Sequence, residues 1–105
     1  MDSKHILTQY SKKALALCCD RIDQRPVATP QILESIRLQL EWLVAFGEGR
    51  EANRERLHTL TFGHYAAREI EDLDVEFADA LFKASYVADQ IRGGLKVDPQ
   101  VLEKK

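Results

Sequence analysis

Phe77, Leu81, Ala84, Ala88 and Ile91 step along the chain by four, three, four and three residues, a rhythm that only an α-helix turns into one apolar face. Related spacings recur upstream. Ile6, Leu7, Tyr10, Ala14, Leu17, Cys18 and Ile22 predict an amphipathic helix over 3–24. Arg25-Pro26 closes it, because proline disfavours helical geometry in the residue before it. Thr29-Pro30 restarts the chain, with Thr29 able to accept from a first-turn amide and Pro30 suited to the first helical position. This second helix runs to about residue 46. It carries two stripes, Ile32, Ile36, Leu40 and Leu43 on one side and Leu38, Trp42 and Ala45 on another, so it is either central or shares its second stripe with a partner. Gly47 and Gly49 stop it.

Asn53 predicts the cap of a third helix whose buried face holds Leu57, Leu60, Ala67 and Ile70. Gly63 falls on that face at a cost of about 1 kcal/mol relative to alanine, which points to close approach by a neighbouring helix or to a break. Asp74 opens the fourth helix and Gly93-Gly94 ends it, with Leu95 and Val97 expected to fold back over the core. Only 5 Gly and 3 Pro in 105 residues leave little turn chemistry for a sheet. The expectation is an all-α, single-domain, four-helix, mostly antiparallel bundle over 1–98, followed by a polar tail at 99–105.

Charge is unevenly spread. Glu69, Glu71, Asp72, Asp74, Glu76 and Asp79 place six carboxylates in eleven residues without one Lys or Arg, on a chain of net charge −2. The remainder is therefore positive, and a polarised surface steers encounters with oppositely charged partners. Asp74 and Glu76 sit where a helix begins, and there the partial positive charge of the terminus already favours them. Glu69, Glu71 and Asp72 sit where a helix ends and the same dipole opposes them, so this trio is the stronger candidate for a partner-binding surface.

Other chemistries find little footing. Glu55-x-x-His58 is one arm of a di-metal bundle motif, but no second arm exists and Arg54 and Arg56 flank it. His58 and His64 are six apart and do not share a helical face, and Ser85 has no basic neighbour in sequence. No catalytic, metal or cofactor residue is assigned. Arg50, Arg54, Arg56 and Arg68 are interleaved with Glu48, Glu51, Glu55 and Glu69, and a pI near 5.9 lacks the basic footprint that nucleic acid requires. Leu15-x-x-Cys18 has the form of a lipoprotein cleavage box, but its apolar run is six residues long and Asp20-Arg21 follows. No stretch reaches the roughly 20 apolar residues of a membrane span. Cys18 and Cys19 are adjacent, too poorly oriented to bridge, and read as free, buried thiols of a cytoplasmic protein.

At Leu57-His58-x-Leu60-Thr61-x-Gly63 the chain resembles the small helical immunity proteins of type VI secretion systems, whose cognate effectors are NAD(P)+ glycohydrolases. The likeness continues through the acid-rich joint to Gly94-Leu95-Lys96-Val97-Asp98, and upstream includes Tyr10, Lys13-Ala14-Leu15-Ala16-Leu17 and Asp20-Arg21. It spans roughly 10–98 and departs in the polar loop around 47–53 and in the tail from Pro99. The resemblance implies a non-enzymatic protein without a cofactor, which binds a toxin domain in the cytoplasm of the producing cell and blocks its active site. A helical adaptor or effector chaperone that binds without inhibiting is the alternative. A homodimer through Leu38 and Trp42 is also left open.

Overall fold

A computed structural model describes residues 3–24, 28–97 and 102. Helix α1 spans Ser3–Gln24, α2 Pro30–Gly47, α3 Phe62–Tyr65 and α4 Val75–Arg92. A 3₁₀ turn at Arg54–Thr59 precedes α3, and a π-helical turn at Ala66–Ile70 continues it. The architecture is all-α, as the stripes predicted. The expected stop at Arg25-Pro26 lies outside the described residues.

Contacts at the helix ends set the directions. Cys18, late in α1, donates its thiol to the carbonyl of Leu33, early in α2. At the other end, a Cβ on Gly47 would fall 2.2 Å from Thr8 Oγ1, so only glycine lets α2 close on the start of α1 there. Arg21, also late in α1, meets Asp74 at the start of α4. Helix α1 is therefore antiparallel to both α2 and α4.

The core follows the stripes. Ile6, Leu7, Ala14 and Cys18 of α1 meet Ile36, Leu40 and Leu43 of α2 and Phe77, Leu81, Ala84, Ala88 and Ile91 of α4, all buried. The local signals at the ends also act as read. Thr29 Oγ1 accepts from Ile32 N–H at 3.3 Å, and Gly93 caps α4 before Gly94 turns left-handed at φ +72°. Val97 is buried as expected and Leu95 is not, while Leu102 joins the core.

The third helix departs from expectation. Asn53 caps only the 3₁₀ turn, Leu60 is extended, and a helix restarts at Phe62. Its cause lies on α2: Gln39 Oε1 accepts from the amides of Thr61 and Phe62 at 2.7 and 3.0 Å, and its Nε2 donates to Thr61 Oγ1. A side chain from another helix thus satisfies two amides that a continuous helix would have bonded internally. The restart rotates the buried face from Ala67, which is exposed, to Phe62, Ala66 and Ile70. Gly63 does mark a close approach. A Cβ there would lie 2.6 Å from Ser85 Oγ of α4.

One correction concerns α1, and on α2 the structure decides between two readings. Cys18 is buried, and desolvation pushes its thiol up to about 12, with Cys19 adding to the effect. Cys19 is exposed, because a neighbour on a helix points about 100° away. Trp42, on the stripe read as either central or shared with a partner, is 8% exposed, stacked on Phe46 at 5.2 Å and covered by the Arg56 guanidinium at 5.5 Å. Leu38 alone of that pair stays out.

Candidate interaction surface

The acidic stretch lies on the joint between the π turn and α4. Glu71 N–H reaches back five residues to the carbonyl of Ala66 at 2.8 Å, and this wide turn carries the chain over the end of the bundle. The amides of Leu73 and Asp74 then both donate to the carbonyl of Ile70, at 2.9 and 2.8 Å. Asp74 ends the joint in a near-extended conformation, φ −152° and ψ 89°, and its Oδ1 accepts from Phe77 N–H at 3.1 Å as the cap of α4.

Asp74 is only 7% exposed, so it leaves the surface to which its charge assigned it. Its buried partner is Arg21, whose Nε donates to Oδ2 at 2.5 Å. The same guanidinium donates to Glu76 at 2.7 Å and to Asp20 at 2.6 Å. Asp74 and Glu76 together hold Arg21 yet more firmly protonated than a free guanidinium, against the opposing pull of burial. Asp79 pairs with Lys83, one turn on, at 3.0 Å.

Glu69, Glu71 and Asp72 are different. All three are exposed, and none has an ion-pair partner among the described residues. Beside them stand two side chains that the carboxylate count does not reveal. Leu73 and Val75 are exposed large hydrophobics flanking the buried Asp74. Their sequence signal is the position itself: two aliphatic residues on either side of a helix cap, off the stripe that fills the core. Arg21 was equally unmarked as an interior charge, although it lies three residues after Cys18 and four after Leu17 on the buried side of α1.

A groove of about 460 Å³ opens between α3 and α4, with Leu60, Phe82 and Tyr86 as its apolar wall and His64, Ser85 and Asp89 along its polar side. No hydrogen bond joins Ser85 to His64 or His64 to Asp89 among the described residues, so the relay of a nucleophilic triad is not assembled there. Glu55 and His58 lie exposed on the 3₁₀ turn. No group of three or more His, Cys, Asp or Glu is arranged to hold a metal ion among the described residues. No described helix is long and apolar enough to cross a membrane.

The Tsi6 family model matches residues 6–90, an interval that contains α2 and the broken third segment and nearly all of α1 and α4. The immune protein Tsi6 of Pseudomonas aeruginosa is 37% identical over 90 residues, which are 86% of this chain and 94% of that protein. A chain in the solved structure of Tse6 in complex with Tsi6 superposes with a TM-score of 0.79 at 36% identity, covering 88% of this chain and 96% of its own. The structure of Tsi6 from Pseudomonas aeruginosa gives 0.74 at 36% identity, with 88% and 94% covered. With sequence and fold matched over nearly its whole length, the chain belongs to the Tsi6 family of immunity proteins.

Proposed function

We propose that this protein binds a cognate type VI secretion effector toxin in the cytoplasm of the producing cell and blocks its active site, without catalysis or a cofactor of its own. The toxin is an NAD(P)+ glycohydrolase, which cleaves the bond between nicotinamide and ribose. The observation that carries this reading is the TM-score of 0.79 to a chain from the complex of Tse6 with Tsi6, over 96% of that chain.

The energetics are consistent with the role. A toxin that turns over a shared metabolite must be held almost completely, which asks for nanomolar binding or tighter, about −12 kcal/mol. An interface of about 800 Å² per partner supplies this when a few anchors are well buried. Pockets that hold dinucleotide phosphates tend to be basic at the rim. Glu69, Glu71 and Asp72, exposed and without an ion-pair partner among the described residues, are placed to meet such a rim and raise the association rate, while Asp74, Glu76 and Asp79 add to the field with their charge already answered inside the chain.

The test is hydrolysis of NAD+ by the effector domain encoded beside this chain, followed during titration with the purified protein. Activity should fall to the background at one equivalent. Binding without inhibition would instead favour an adaptor or chaperone, and an absence of binding would end the proposal.

A further inference from the structure

Leu73 and Val75 are 65% and 73% exposed, more than any other large hydrophobic side chain among the described residues. They stand two residues apart. The intervening Asp74 is near-extended, so successive side chains fall on opposite sides: Asp74 turns inward to Arg21 while Leu73 and Val75 turn out. Neither contributes to the core cluster. The tip that carries them is held by two amide bonds to the Ile70 carbonyl, by the Arg21 ion pair and by the cap to Phe77.

Resting on the immunity reading above, we infer that Leu73 and Val75 are the apolar anchor of the interface, inserted into a recess of the effector toxin domain whose rim carries Lys or Arg. Charge selects this occupant. Glu69, Glu71 and Asp72 flank the pair with negative side chains that have no ion-pair partner among the described residues, so a second copy of the chain would bring like charges face to face. A partner with a basic rim satisfies the carboxylates and the apolar pair together. An apolar centre inside a polar rim is the arrangement in which a few residues dominate affinity. The fixed backbone matters as well, because a tip already ordered in the free protein loses little freedom on binding. The trio governs how fast the partners meet, and the pair governs how long they stay.

The experiment uses the full chain with Leu73→Ser and Val75→Ser together, measured by surface plasmon resonance against the effector toxin domain encoded beside it. Dissociation should accelerate by about 100-fold, with association changed by less than about threefold. The melting temperature should stay within about 3 °C of the parent, since both side chains are exposed, and this separates a lost anchor from a lost fold. Dissociation within about twofold of the parent overturns the inference and leaves the immunity reading standing. If the parent chain itself does not bind the domain, both fall. A dimer of the free chain in sedimentation that the double variant dissolves would also overturn it, because the pair would then be a self-association surface.

Discussion

Glu69, Glu71 and Asp72 stand exposed with no cation paired to them among the described residues, whereas Asp74, Glu76 and Asp79, a few residues further on, each accept from one inside the same chain. The two halves have the same formal charge and almost the same composition. What separates them is the element each belongs to. The first half ends a helix, where the dipole resists negative charge and the wide π turn holds the side chains away from the bundle. The second begins α4, where one carboxylate caps the helix and the others reach Arg21 or Lys83. A run of like charges in a sequence is thus not one functional unit.

The division breaks most severely at Asp74. Asp74→Ala removes the cap of α4 and leaves Arg21, 6% exposed, with its chief partner gone. Arg21 keeps Glu76 and Asp20, so the loss is that of one charged hydrogen-bond partner and of the helix cap, together about 2–4 kcal/mol against the roughly 5–15 kcal/mol that holds a domain of this size. Urea denaturation should show that loss, and Asp74→Asn, which can still cap, should lose less. A cost below about 1 kcal/mol for the alanine variant would mean that the second half is as free as the first.

Gly63 joins the two halves mechanically, since it lets α3 and its π extension close on α4. Gly63→Ala should destabilise by about 1–3 kcal/mol, because the new methyl meets Ser85 Oγ at 2.6 Å and Ser85 Cβ at 3.2 Å. Ser85→Gly clears both contacts, so the Ser85→Gly background should be less sensitive to Gly63→Ala than the parent. Equal sensitivity in the two backgrounds, read from denaturation midpoints, would show that the close approach is not what glycine serves there.

Much of this arrangement was legible in the sequence where local signals acted alone. Thr29-Pro30, Asp74 and Gly93 mark the ends of α2 and α4 because capping is settled within a few residues. The third segment was not legible, since Leu57, Leu60, Ala67 and Ile70 fit a single helix and nothing near them announces Gln39, which takes the amides of Thr61 and Phe62 from 22 and 23 residues upstream. The dipole argument ranked the acidic trio above Asp74 and Glu76 as a binding surface, and the structure adds that the trio has no ion-pair partner among the described residues while Asp74 and Glu76 both meet Arg21. That ranking missed the reason for Asp74, because a buried arginine on α1 leaves no pattern in the acidic stretch itself.

Reversing the trio sharpens the comparison from the other side. Glu69→Lys, Glu71→Lys and Asp72→Lys should leave folding stability unchanged or raise it by a few tenths of a kcal/mol, since cations suit the end of a helix. Association with the toxin domain should slow by about 10-fold or more at low ionic strength, and the difference should shrink in high salt. An unchanged rate at low salt removes the steering role from these three.

The smallest effect is expected at Asp79, and it is the finest test of the division. Its pair with Lys83 is a half-buried i, i+4 contact at 3.0 Å, with the carboxylate side chain 42% exposed, so solvent screens much of its attraction. Asp79→Asn should cost no more than about 0.5 kcal/mol, and a cycle with Lys83→Met should assign most of that to the pair. Its effect on association should be smaller still than that of any single reversal in the trio, because the field of Asp79 is already opposed by a cation one turn away. If Asp79→Asn slows the encounter as much as Glu71→Gln does, the carboxylates act through their summed potential, and the boundary between free and committed charges has no kinetic meaning.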